Sequence, residues 1–195
     1  MPRQPDPDLE ERILKAAHLL WHRGGDKALT LRAVAKAAGT NTPAVYRRFK
    51  DRHDLIHGLL QGIVGRLRKS FEAGDTIEQM LDAYVDYALR EPHEYELFYS
   101  YASEMSPRKG PGPAKPIRET RPNFGLLEER LAKRLGGRPE DQTWLALALW
   151  ALGHGTTSLL LSKAIPEGHT EEFRSATRAA VVALLKCADV VSAKK

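Results

Sequence analysis

Residues 30–56 hold two short helical patterns joined by a single glycine, and that spacing constrains the chain more than any other feature. Thr30 suits an N-cap, because its hydroxyl can accept a bond from an otherwise unpaired N–H of the next turn. Leu31, Val34, Ala35 and Ala38 then recur at i, i+3, i+4 and i+7, a narrow apolar face whose alanines permit close helix–helix approach. Gly39 follows, where a helix C-terminus favours a left-handed residue. Thr40-Asn41-Thr42-Pro43 restarts a helix: Asn41 or Thr42 can cap it, and Pro43 suits a first turn that needs no N–H. Val45 and Phe49, four apart, are expected to face inward, which leaves Thr42, Pro43, Ala44, Tyr46, Arg47 and Arg48 for the outer side. Two short helices on a tight glycine turn are a common way to push one helix end into the major groove of DNA.

The charge distribution points the same way. Lys27, Arg32, Lys36, Arg47, Arg48, Lys50 and Arg52 face one acid, Asp51, between positions 27 and 52, while the whole chain is only +5. A positive excess confined to one segment suits phosphate neutralisation. Arg47 or Arg48 could bond a guanine bidentately or hold a phosphate, and Ala44 could offer a methyl to thymine.

The chain resembles the TetR (tetracycline-repressor-like) family of transcriptional regulators. The pattern runs from Ile13-Leu14-Lys15-Ala16-Ala17 to Gly24-Gly25, then through Leu29-Thr30, Val34-Ala35, Ala38-Gly39, Val45-Tyr46 and Phe49 to Asp54-Leu55-Ile56. Where the family often has Ser, His or Tyr, Lys and Glu, this chain has Asn41, Arg48, Arg52 and His53. The resemblance implies phosphate contacts from Thr30, Tyr46 and Arg52, with Arg32 nearby, and base reading from Thr42, Pro43 and Ala44. It also implies a dimer formed through the last two helices and release from DNA by a small molecule bound among the middle helices. Trp150-Ala-Leu-Gly-His154-Gly155 resembles a Trp…His-Gly element of one subset of the family's C-terminal domains.

Composition bounds the remainder. At 195 residues and 42% hydrophobic, the chain can bury a core for a small DNA-binding module (1–56) and a larger helical domain (57–195). Strand signals are nearly absent, so the fold class expected is all-α with about nine helices, the first three forming a homeodomain-like helix-turn-helix. The opening residues are proline-rich and charged rather than an apolar leader, and the lone Cys187 fits a reducing cytoplasm, read as a small buried hydrophobe on a helix.

Asp8 with Glu11 suggests a capping box ahead of the apolar stripe Leu9, Ile13, Ala16, Ala17 and Leu20. A long helix follows Asp51 to about Phe71; Gly58, Gly62 and Gly65 inside it imply either a pliable linker or close packing. Thr76 with Gln79 caps a fifth helix ending near Glu91-Pro92, and a sixth reaches about Met105. Residues 106–122 carry five prolines and no apolar period, which reads as a loop: a lid, a second basic contact or a surface insertion. Pro122–Leu135 is helical, stopped by Gly136-Gly137. The segment from Pro139 to Leu161 is apolar almost all round, yet His154, Thr156, Thr157 and Ser158 interrupt it and no anchoring cluster flanks it, so burial is expected rather than a membrane span. The ninth helix, about 170–191, offers Phe173, Ala176, Ala180, Val181, Leu184, Leu185 and Ala188 as an apolar face. Packing 139–162 and 170–191 on their copies would make a four-helix homodimer interface.

Tyr84, Tyr87, Tyr95, Phe98, Tyr99 and Tyr101 concentrate aromatic area, with Trp144, Trp150 and His154 further along. Tyr84, Tyr87, Phe98, Tyr99, Trp150 and His154 are the candidate lining for a largely apolar effector. His18/His22 and His53/His57 have i, i+4 spacing but no third ligand nearby, and no phosphate loop or nucleophile elbow is present. No cofactor, metal or catalytic residue is expected. The function expected is a ligand-released repressor on a pseudo-palindromic operator; a helix-turn-helix activator or architectural DNA-binding protein without a ligand is the alternative.

Overall fold

The computed structural model describes residues 6–102, 115–166 and 168–192, and among these every regular element is helical. In chain order they are α1 (Leu9–Ala28), α2 (Leu31–Ala37), α3 (Thr42–Tyr46), α4 (Arg52–Glu72), α5 (Ile77–Arg90), α6 (Pro92–Tyr101), α7 (Ile117–Thr120), α8 (Pro122–Leu135), a 3-10 turn (Pro139–Gln142), α9 (Thr143–Leu161) and α10 (Thr170–Ser192). The described residues form two compact units. One comprises 6–63 and 97–102, the other 64–96 and the described residues from 115 onward. The division falls beyond residue 56 because the first turns of α4 cluster with α1–α3, and the C-terminal half of α6 joins them.

In the N-terminal unit α1 packs on α2 and α2 on α3. Ile13, Ala17, Trp21, Leu29, Val34, Val45 and Phe49 are buried, as the apolar periodicity requires. The backbone of α1 breaks at Gly25 (φ 56°), and Gly39 (φ 66°) supplies the left-handed turn after α2. A Cβ on Gly58 would meet Phe49 at 3.0 Å and Leu14 at 3.1 Å, so close packing accounts for that glycine. The expected Asp8/Glu11 capping box does not form. Asp8 has φ −92° and ψ 1° rather than an extended backbone, its carboxylate caps nothing, and its own N–H donates to Asp6 Oδ1 at 3.1 Å.

In the C-terminal unit α5 packs on α9, with α8 and α10 alongside. Phe71, Ile77, Met80, Tyr84, Phe124, Leu131, Leu145, Leu149 and Leu185 belong to its core. The Thr76/Gln79 capping box forms as expected, and Gly136 (φ 82°) follows α8. Arg130 donates to the carbonyls of Phe71 (2.8 Å) and Gly74 (2.7 Å), satisfying acceptors at the end of α4.

Three sequence expectations need correction here. First, residues 117–120 are helical rather than loop: Arg118 holds α7 among Glu128, Glu129 and Glu140, and Ile117 packs against the core. Residues 106–114 of that expected loop, and 103–105 of the expected sixth helix, lie outside the described residues. Second, the apolar stretch after Pro139 is not covered on every side. It opens as a 3-10 turn, and although α9 buries Leu145, Ala146 and Leu149, it exposes Trp144 (67%), Leu147 (38%) and Leu159 (42%). Pro139–Leu161 is long and apolar enough to cross a membrane by length and composition, but its inner face belongs to the unit's core. Third, Cys187 is exposed, because it shares the outer side of α10 with Ala183 and Leu184.

Candidate nucleic-acid interface

Both helices of the turn motif are capped by their own sequence. Thr30 Oγ1 accepts from the Ala33 N–H at 3.2 Å, and Asn41 Oδ1, rather than Thr42, accepts from the Ala44 N–H at 2.9 Å. The Thr30 hydroxyl keeps its own proton free to be donated to a phosphate. Val45 and Phe49 anchor α3 from below, which turns Pro43, Tyr46 (54% exposed), Arg47 and Arg48 outward and leaves Thr42 half-buried. Arg32, Lys36, Arg47 and Lys50 are all exposed, and among the described residues none has an acid within 4.0 Å. Such cations are available for phosphates.

Three of the expected contact residues are placed differently from the rest. Ala44 is only 4% exposed, with its methyl packed beneath α3 rather than outward like its neighbours. Arg52 faces the protein. Its Nε donates to the Leu29 carbonyl at 2.9 Å and its Nη2 to Asp26 Oδ1 at 2.6 Å, and its guanidinium lies 5.9 Å from the Tyr101 ring centroid. Tyr101 also bonds Asp26 and sets its ring edge-on to Trp21. Arg48 donates from Nη2 to the Asp6 carbonyl at 3.1 Å. None of these long-range partners could be read from local spacing.

The candidate effector residues do not gather in one unit. Phe98 and Tyr99 belong to the N-terminal unit; Tyr84, Tyr87, Trp150 and His154 belong to the C-terminal one. There the Tyr95 hydroxyl meets His154 Nδ1 at 2.6 Å, Tyr84 lies edge-on to Tyr95, and Trp150 tilts against Phe124. Burial holds His154 below the usual imidazole range. The Tyr87 hydroxyl donates to Glu94, a carboxylate only 3% exposed that also takes Arg66 Nη2 at 2.5 Å. Burial, followed by the neighbouring carboxylate, keeps the Tyr87 phenol protonated far above its ordinary value. Glu94 and Arg66 carry no signal in the sequence beyond polar positions on amphipathic helices. One groove of about 640 Å³ runs past Leu135, Trp144, Leu184 and Cys187, away from these aromatics.

Residues 13–59 match the family model described as bacterial regulatory proteins, tetR family, and residues 77–184 match that of the tetracyclin repressor-like C-terminal domain. The chain belongs to the TetR family. It is therefore a DNA-binding transcriptional regulator, and the match over residues 13–59 covers both helices of the turn motif. Among solved structures, a Rhodococcus sp. RHA1 protein with unknown function shares the fold at TM-score 0.71 and 21% identity, over 95% of this chain and 97% of that one. A TetR-family transcriptional regulator from Streptomyces coelicolor does so at 0.65 and 22%, over 92% and 99%. A TetR variant from Acinetobacter baumannii, solved in complex with minocycline, does so at 0.60 and 16%, over 97% and 99%. No curated protein matches the sequence.

Proposed function

We propose that this TetR-family regulator is a cytoplasmic repressor that grips a pseudo-palindromic operator as a homodimer and leaves it when a small, largely apolar molecule binds its C-terminal unit. The observation that carries the reading is the set of exposed cations, with no acid within 4.0 Å among the described residues, around a doubly capped recognition motif. Thr30, Arg32, Thr42, Pro43, Tyr46 and Arg47 are its DNA-contacting residues. The dimer is supported by apolar side chains left uncovered on the last two helices: Trp144, Leu147, Ala151 and Leu159 on α9, and Ala176, Ala179, Ala183 and Leu184 on α10, all exposed in the single chain. A second copy covering that face would bury apolar area at about 25 cal/mol per Å² and relate two recognition helices by a two-fold axis. Half-sites about one turn of B-DNA apart, or a multiple of that, follow.

The effector reading is supported by Tyr84, Tyr95, Trp150 and His154, apolar surfaces with polar tips, and by the minocycline held in a structural relative. Release requires that the ligand bind the DNA-incompetent arrangement more tightly; affinity alone shifts nothing. The test is enrichment of duplexes from a random-sequence pool by the purified protein. An enriched inverted repeat bound by two chains, and released by members of a panel of planar apolar compounds, is the expected result. A protein that enriches no duplex, or binds as a single chain, overturns the reading.

A further inference from the structure

We propose that the C-terminal unit takes a neutral aromatic molecule carrying a hydroxyl group, and that Thr157 is the side chain that recognises the hydroxyl. The inference rests on the effector reading above and names the chemistry of that same site. Thr157 is fully buried on α9, and its Oγ1 has no hydrogen-bond partner among the described residues. A threonine inside a helix commonly donates to the carbonyl one turn back. Thr156 does so to Leu152 at 2.8 Å, and Thr177 to Phe173 at 3.0 Å. Thr157 does not take the Gly153 carbonyl, so its hydroxyl can both donate to and accept from another molecule. Buried polar groups are nearly always paired, and one that is not calls for a partner from outside the fold.

The helix face that carries Thr157 is aromatic. Trp150, His154 and Thr157 recur at i, i+4 and i+7, so they share one side of α9. Trp150 tilts against Phe124 of α8 with ring centroids 5.8 Å apart, and the His154 ring stacks on Tyr95 of α6 at 5.8 Å. Tyr84 of α5 stands edge-on to Tyr95, and α5 comes close enough to α9 that a Cβ on Gly153 would meet Tyr84 at 3.5 Å. Trp150, His154 and Tyr95 are half-buried, whereas Thr157 is covered. The face therefore grades from partly accessible rings to a covered hydroxyl, the order in which a flat apolar molecule enters polar end first. None of these six side chains is charged at neutral pH, since burial keeps the His154 imidazole below its usual range. An ionised ligand group would lose its hydration here without gaining a counter-ion from them. A neutral hydroxyl donates and accepts as the threonine hydroxyl does, so the two pair in either direction.

The test uses the full-length protein without DNA and a matched pair of probes, 2-naphthol and naphthalene, with binding followed by equilibrium dialysis. 2-Naphthol should bind roughly three- to tenfold more tightly than naphthalene, and the carboxylate 2-naphthoate more weakly than 2-naphthol. Thr157→Val, which keeps the shape and removes the hydroxyl, should leave naphthalene binding unchanged and erase the preference for 2-naphthol. Thr157→Ser should retain it. The valine variant should also raise the melting temperature of the ligand-free protein by about 2–4 °C, because it removes a buried group that lacks a partner. Several results overturn the proposal: no binding of 2-naphthol, equal binding of it by wild type and Thr157→Val, tighter binding of 2-naphthoate, or a lower melting temperature for Thr157→Val, which would mean that the hydroxyl is already satisfied within the fold. Release of an enriched duplex by 2-naphthol is a separate readout. Thr157-dependent binding without release keeps the site and removes the repressor reading, whereas release at undiminished potency in Thr157→Val keeps the repressor and removes the site.

Discussion

In the N-terminal unit Arg32, Lys36, Arg47 and Lys50 stand without acids among the described residues, whereas in the C-terminal unit Arg66, Arg134, Arg174 and Arg178 each grip a carboxylate. Arg134 reaches Asp189 at 2.9 Å and Glu78 at 3.1 Å, Arg174 reaches Asp86 at 2.5 Å and Arg178 reaches Asp82 at 2.8 Å. The four cations around the turn motif are available to an outside polyanion, although Arg12 and Arg52 of the same unit pair with Asp6 and Asp26. Arg134, Arg174 and Arg178 instead use their charge in fastening α5, α8 and α10 together. Arginine count alone would not separate them. What distinguishes a binding surface from a scaffold is whether the partner charge lies inside the fold.

The largest expected effect comes from cutting each core separately. Phe49→Ala should cost about 3–5 kcal/mol and Leu149→Ala about 2–5 kcal/mol. Calorimetry and sedimentation should show the first abolishing DNA binding while self-association persists, and the second weakening self-association. If Phe49→Ala also dissolves the dimer, the two units are not the separate bodies described. Glu94→Ala comes next, at about 1–3 kcal/mol, because it strips the Tyr87 hydroxyl of its acceptor and leaves Arg66, itself half exposed, uncompensated. Denaturant unfolding should register the loss with no change in the salt slope of DNA binding. Asn41→Ala should cost about 1 kcal/mol through the lost cap and reduce DNA affinity with it. Arg178→Ala, at a pair whose arginine is 43% exposed, should cost under about 1 kcal/mol.

The smallest effect is a pH dependence in the C-terminal unit. Burial lowers the His154 pKa in the folded state, so the unfolded chain takes up the extra proton first. The contribution is intact above the unfolded value of about 6.5 and declines as the pH falls through it. Thermal melts between neutral and mildly acidic pH should show a slightly steeper loss for the wild type than for His154→Asn.

The N-terminal unit was legible because its determinants are local. Thr30 and Asn41 cap helices three residues ahead, Gly39 turns the chain, and Val45 with Phe49 repeats at helical spacing. The same local logic does not show that Ala44 is buried or that Arg52 bonds to its own chain. A small side chain can face either way on a five-residue helix, and Arg52 is decided by Leu29 and Asp26, more than twenty positions upstream. In the C-terminal unit the helices were readable from apolar period and the Thr76/Gln79 box, but the Glu94–Arg66 and Tyr95–His154 partnerships join positions 28 and 59 residues apart. Such pairings depend on how helices pack, which a one-dimensional pattern does not encode. The exposed Cys187 was misread for a related reason: an apolar helix face signals coverage without saying whether the cover comes from the same chain.

The most direct test is the salt dependence of binding to a duplex enriched by the protein, measured for the wild type, Arg32→Ala, Arg47→Ala and Arg178→Ala. Affinity should fall steeply as salt rises, with each of the first two substitutions flattening the slope by about 0.9 and Arg178→Ala leaving it unchanged. Equal slopes for all four proteins, or binding indifferent to salt, would contradict the division of charge between the two units.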